Sequence, residues 1–324
     1  MTDSDRRRVA AWLLVCAALV FALVTVGGVT RLTRSGLSIV EWQPLVGALP
    51  PLSEEAWHEL FAKYRETPEY RQVNVGMDLA GFQRIFWWEY AHRLLARLVG
   101  LVFLLPLLWF QWRRALDRPL AWKLWGVFAL GALQGAMGWW MVKSGLVDDP
   151  KVSPVRLTAH LGLALAIFWA ELWIALGLLA PREARRHRLA AALPFVVYAM
   201  ALSGGMVAGL RAGHAYPTFP LMAGQLVPPD FLLLEPWWRN FLYNMGSVQF
   251  VHRAFFWLLL VLVVTAWWRR RATAEGNLLL AAFALQASLG IATLLSGVPI
   301  GLAASHQAGA VLTLAAALWY AHRG

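Results

Sequence analysis

Four of the eight histidines, His92, His160, His252 and His306, fall inside long apolar runs. An imidazole in a membrane-length apolar segment is costly to bury and marks a functional site by default. Each is expected in the first turns of a helix, all four near one membrane face. Two facing imidazoles in a four-helix bundle are suited to clamping a haem iron through their ring nitrogens. Zinc usually takes four ligands in all, and each half of the chain offers two histidines. The single cysteine, Cys16, cannot build a thiolate metal site or a disulfide framework. His58, His187, His214 and His322 lie in polar gaps or at the tail, where solvated side chains are expected; His214 could also help to close a site on the outer face.

The neighbours of the four histidines sharpen this chemistry. Arg93 and Arg253 each follow a histidine directly, and Arg97 lies one helical turn further on. Such cations could pair with haem propionates or, for Arg97 especially, snorkel to headgroups. Glu89 precedes His92 by three residues and shares its helical face. Gln249 holds the matching place before His252. A carboxylate near iron could act as acid, base or cation stabiliser; the amide has no charge to offer. This asymmetry implies that the first half does chemistry and the second holds a redox cofactor.

These residues must be carried by membrane helices. The chain has 324 residues, 59% hydrophobic, with 19 Trp and a mean hydropathy of +0.54. The fold class expected is an all-α polytopic membrane protein with eight transmembrane helices, arranged as two pseudo-symmetric four-helix bundles. The spans fall near 10–29, 91–110, 121–141, 157–179, 189–208, 250–268, 277–296 and 302–321, each long enough for a hydrocarbon core of roughly 30 Å. Lipid leaves backbone groups no other partners, which requires helix. Pro106 and Pro194 are expected to kink their spans.

The net charge of +11 comes from arginines in short gaps, at 6–8, 113–123, 182–188 and 269–271. That placement makes those gaps cytoplasmic, puts both termini inside and argues against nucleic acid as a partner. The run after Arg8 resembles a signal peptide but has no small-residue cleavage site, and is read as a retained first span. In the long outer gap 30–90, Ser53-Glu54-Glu55 reads as a capped helix start. Trp57, Leu60, Phe61 and Tyr64 then form an apolar stripe expected against the membrane surface or the bundle.

The sequence also repeats. Gly27-Gly28-Val29 echoes Gly204-Gly205-Met206, and the His92-Arg93 segment echoes His252-Arg253. Leu133-Gln134 echoes Leu285-Gln286, and the His160 segment echoes that of His306. Four spans per unit give both units one orientation. The halves are placed at 1–186, on the substrate side, and 187–324, on the cofactor side.

The segment Gly27-Gly28-Val29-Thr30-Arg31-Leu32-Thr33-Arg34-Ser35-Gly36-Leu37-Ser38, with Glu41-Trp42-Gln43-Pro44 and Gly47-Ala48-Leu49-Pro50-Pro51, resembles the haem A synthase family. So do Pro68-Glu69-Tyr70, Asn74-Val75-Gly76-Met77, Glu89-Tyr90-Ala91-His92-Arg93 and Thr218-Phe219-Pro220-Leu221-Met222. The likeness covers roughly residues 10–320 and is nearest to the alphaproteobacterial and mitochondrial branch. It implies oxidation of the C8 methyl of haem O to a formyl group, giving haem A for terminal oxidases. It further implies a haem b cofactor on His252 and His306, with Arg253 beside it. Substrate haem would lie between His92 and His160, with Glu89 catalytic. A cytoplasmic-membrane location, haem sites toward the outer face, a haem O synthase partner and a separate electron donor follow from the same likeness. The outer-loop cysteine pair of some members is absent, which excludes a thiol route for electrons. Tyr216 is followed by Pro217 where the family usually has asparagine, and Ala96 precedes Arg97.

Three other readings stand beside it. A bis-histidine membrane cytochrome b would need haems near both faces. A haem transporter or chaperone would not need Glu89. A purely structural assembly subunit would not need four matched histidines.

Overall fold

The structure, a computed structural model, describes residues 1–43, 46–147, 149–180 and 188–324. The described residues are helical apart from their connections and one isolated bridge, Met222 with Gln225. The long helices are α1 (Asp3–Leu32), α4 (Leu79–Trp112), α5 (Arg118–Lys143), α6 (Pro154–Leu179), α7 (Arg188–Leu210), α9 (Met245–Arg269), α10 (Ala274–Leu295) and α11 (Ile300–Arg323). The long connections before α4 and before α9 carry the short helices α2 (Glu54–Arg65), α3 (Pro68–Gln72) and α8 (Asn240–Tyr243).

Local chemistry sets the starts. Thr2, Asp78, Asp117, Ser153, Asn244 and Thr273 each accept a first-turn N–H through their side chains, contacts worth about 1 kcal/mol apiece. Pro119 and Pro154 occupy first-turn positions, where a missing N–H costs nothing. Pro106 and Pro194 sit within α4 and α7, which continue through them.

Seven of the described helices are long and apolar enough to cross a membrane: α1, α4, α6, α7, α9, α10 and α11. The expected span at 121–141 falls in α5, whose 26 residues suffice in length. Four tryptophans, four glycines and Gln134 dilute its apolar character. The boundary expected at 186/187 and the basic gap at 182–187, with His187, lie outside the described residues.

The centre of the bundle is α1, α6, α7 and α11. α1 packs on α6 and α11, and α7 packs on α6 and α11. Their buried faces meet in one core that includes Leu13, Cys16, Val20, Leu165, Phe168, Val197, Leu314 and Leu318. α4 and α5 flank one side of this core; α9 and α10 flank the other.

Two expectations change. α4 begins at Leu79, so His92 lies well inside its helix rather than in the first turns. The extra turns are held by α2: Trp57 and Tyr64 pack on Phe82, and Trp57 also on Phe86. The amphipathic stripe thus lies on the bundle, and Ser53 caps α2 as expected, its Oγ accepting from the Ala56 N–H at 3.2 Å. His322, expected to be solvated, is buried in the last turn of α11, edge-on to Trp173 at 5.5 Å between ring centroids.

Candidate functional site: two imidazole pairs

Each of the four histidines rests on a glycine. A Cβ built on Gly27 would lie 2.8 Å from His92 Cε1, and one on Gly138 would lie 3.0 Å from His160 Cε1. The corresponding distances are 3.3 Å for Gly204 with His252 and 2.7 Å for Gly290 with His306. At Gly27 and Gly290 a Cβ would force the ring to shift, and at Gly138 and Gly204 it would press tightly on it, so each glycine is a seat for a ring. Two of the four, Gly138 and Gly290, carry no signal in the sequence beyond helical glycine.

In the second pair both ring orientations are fixed. Ser203 Oγ lies 2.7 Å from the Met200 carbonyl and 2.8 Å from His252 Nδ1; with its proton on that carbonyl, it accepts from Nδ1. His306 Nδ1 faces the Gln286 carbonyl at 3.2 Å, which also only accepts. Both rings therefore hold their proton on Nδ1 and present an Nε2 lone pair. Metal-binding histidines are characteristically oriented this way. The two rings are perpendicular, 89° apart, with centroids 6.5 Å from each other. Two metal–imidazole bonds of about 2 Å each, plus the half-width of each ring, span about 6 Å. The donor set, tautomers and separation therefore fit one bis-histidine iron.

The first pair differs. His92 and His160 lie close enough to interact electrostatically, yet Nδ1 of each is buried without a hydrogen-bond partner. His92 leans toward the Leu23 carbonyl without reaching hydrogen-bond geometry. Val26 stands before Gly27 where Ser203 stands before Gly204, which is why His92 lacks the hydroxyl that His252 has. Gln134 Nε2 donates to the His160 carbonyl at 3.0 Å and lies 3.5 Å from His160 Nε2. Among the described residues no three His, Cys, Asp or Glu side chains gather around a metal-sized site.

Glu89 is 3% exposed and held by four donors. Ser38 Oγ and the Ile39 N–H donate to Oε2 at 2.7 and 2.9 Å. Arg93 Nη2 and Nε donate to Oε1 at 2.7 and 3.1 Å. Arg93 also donates to the Ile39 and Glu41 carbonyls, and Arg97 to that of Gln43. The pair thus clasps the connection between α1 and α4. Gln249 and Arg253 do the same to the connection between α7 and α9: both donate to the Tyr216 carbonyl, at 3.1 and 2.9 Å. Arg253 reaches the Pro220 and Leu221 carbonyls as well.

Glu69, singled out in the sequence only as part of a motif, is a titratable group of this region. It is buried on α3, with Tyr64 OH 3.5 Å from Oε2. Burial first, and the charge of Glu89 second, push its carboxyl up to about 7, against the pull of Tyr64, Arg34 and Arg211.

Fold and site together define a helical membrane protein with two inequivalent imidazole pairs suited to haem. A profile of the COX15-CtaA family, described as cytochrome oxidase assembly protein, matches residues 10–318, and the chain belongs to that family. It is 57% identical over 332 residues to a protein named heme A synthase of Nitrosospira multiformis, covering 98% of this chain and 93% of that one. It is 52% identical to the protein of that name in Nitrosomonas eutropha, covering 96% and 92%. With that of Parvibaculum lavamentivorans the identity is 48%, covering 99% and 96%.

Proposed function

We propose that this chain oxidises the C8 methyl group of haem O to the formyl group of haem A. The observation that carries the reading is near-full-length identity to proteins named for that activity. Two imidazole pairs of unlike preparation give it a physical form. His252 and His306, each oriented through Nδ1, would hold a resident haem b, with Arg253 in the same region. His92 and His160, whose Nδ1 atoms are unpartnered, face the substrate haem O. A site that must release its occupant gains nothing from locking its ligands. Haem b, when bound, supplies one-electron redox chemistry. Glu89 is the catalytic carboxylate, a buried negative charge three residues from His92.

The architecture proposed is two four-helix bundles of one orientation, α1, α4, α5 and α6 against α7, α9, α10 and α11, with α5 as the eighth span. The halves are residues 1–186 and 187–324. Arginine placement puts both termini on the cytoplasmic side of a bacterial inner membrane and the haem sites toward the outer face. Haem O is too apolar to cross water freely, so a haem O synthase is the fitting donor, and electrons come from a separate carrier.

The test is expression in a host that makes haem O, followed by extraction and chromatography of the haems. Haem A accumulates if the reading holds. A folded, haem-loaded protein that yields none would refute it.

A further inference from the structure

Each glycine pair does two jobs, and the second joins the two halves. Gly27 and Gly204 seat the first imidazole of their own half. The residue after each seats a side chain from the other half. A Cβ on Gly205 of α7 would lie 3.1 Å from Thr158 Oγ1 and 3.3 Å from Leu161 Cδ2 of α6; Leu161 directly follows His160. A Cβ on Gly28 of α1 would lie 2.7 Å from Gln307 Cδ of α11 and would overlap its Oε1; Gln307 directly follows His306.

The two crossings are chemically unlike. Leu161 makes an apolar contact. Gln307 Nε2 donates to the Val24 carbonyl of α1 at 2.7 Å, one turn before the Gly28 slot that receives its amide. Val24 and Gly28 bracket Gly27, the backbone on which His92 rests. A side chain on the helix of one imidazole pair therefore fixes the stretch of backbone that supports the other.

We propose that Gln307 is a positioning residue for the first imidazole pair: from the helix of His306 it holds α1 so that Gly27 backs His92 at the angle haem O requires. This rests on the assignment of His92 and His160 to substrate. Its consequence is that a change on the second half's helix alters substrate binding while leaving the resident haem in place.

The test uses the full-length protein purified with haem b bound, titrated with haem O and followed by absorption. Gln307→Leu copies the residue that follows His160 and keeps an apolar fill without the hydrogen bond. Haem O affinity is expected to fall roughly threefold to tenfold, the worth of one such bond, with KM rising, kcat held, and haem b content and low-spin spectrum unchanged. Gly28→Ala attacks the same contact from the other side and should weaken haem O in the same way. Adding Gln307→Ala to it empties the slot and should make the two losses non-additive. Equal haem O affinity in wild type and both single variants overturns the inference, as does loss of haem b in step with haem O. A wild-type protein that takes up no haem O overturns the substrate assignment and this inference with it.

Discussion

Replacing Ser203 with alanine removes the hydroxyl 2.8 Å from His252 Nδ1, leaving the Met200 carbonyl as the other acceptor nearby, without touching the nitrogen proposed to hold haem b. The ring lies at the α7–α9 contact, against Gly204. Leaving a buried donor poorly paired costs up to about 1–3 kcal/mol. Loss of an orienting partner behind a metal-bound histidine typically weakens the metal complex about 10- to 100-fold, or about 1.4–2.8 kcal/mol. Two independent estimates thus agree. Haem b affinity should fall by one to two orders of magnitude, read by transfer of the haem to an acceptor protein and by the low-spin absorption of what remains. The converse change, Val26→Ser, offers His92 the hydroxyl it lacks and should slow haem loss from the first site. Ser203→Ala with unaltered haem b retention would refute the argument that tautomer fixing distinguishes the two pairs.

Glu89→Gln should keep haem b bound but lower kcat at least about 100-fold, as when a charge aimed at the reacting centre is lost; haem A accumulating at the wild-type rate would remove Glu89 from the chemistry. Gly290→Ala places a methyl 2.7 Å from His306 Cε1, and overpacking of about 1–3 kcal/mol should reduce haem b content, measured per mole of folded protein, more than the same change at Gly131, where a Cβ meets nothing. Glu69 binds its proton more tightly folded than unfolded, its carboxyl being raised from 4.5 to about 7. Its contribution to stability is therefore fully present below about pH 4.5 and is lost as pH rises through 7. Glu69→Gln should flatten thermal stability between pH 5 and 8, and a slope unchanged from wild type would show that another group titrates there.

The candidate site is more legible in the sequence than the contacts around it. His92, His160, His252 and His306 stand out because an ionisable ring in an apolar run has no cheap explanation, and the Glu89/Gln249 difference stands out because it breaks a repeat. Ser203 does not: a serine in an apolar helix is satisfied by its own Met200 carbonyl, and its second bond spans 49 residues. Gly138 and Gly290 are as silent, since a helical glycine has many possible reasons and the ring it seats comes from another helix. The early start of α4 was hidden because Gln83, Arg84 and Glu89 break the apolar run; packing by Trp57 and Tyr64 of α2, a tertiary contact, makes those turns helical. His322 differs for the same reason: the chain end reads as polar, and Trp173 of α6 covers it.

The clasp over each site narrows what Glu89 can do. Its two oxygens accept four hydrogen bonds, one pair from the charged Arg93. A carboxylate so occupied has no free lone pair directed at a substrate proton, so a role as general base would first require the Ser38–Ile39 connection or Arg93 to let go. In the second half Gln249 and Arg253 hold their connection with no carboxylate at all, which shows that holding a loop does not need the charge. The charge at position 89 therefore answers to something other than loop anchoring. A fixed, buried carboxylate three residues from His92 is suited to stabilising positive charge that develops on a bound porphyrin. On this argument the two halves share one mechanical plan, and three matched pairs of side chains separate their duties: Glu89 against Gln249 in charge, Val26 against Ser203 in ring fixation, and Leu161 against Gln307 in the crossing between halves.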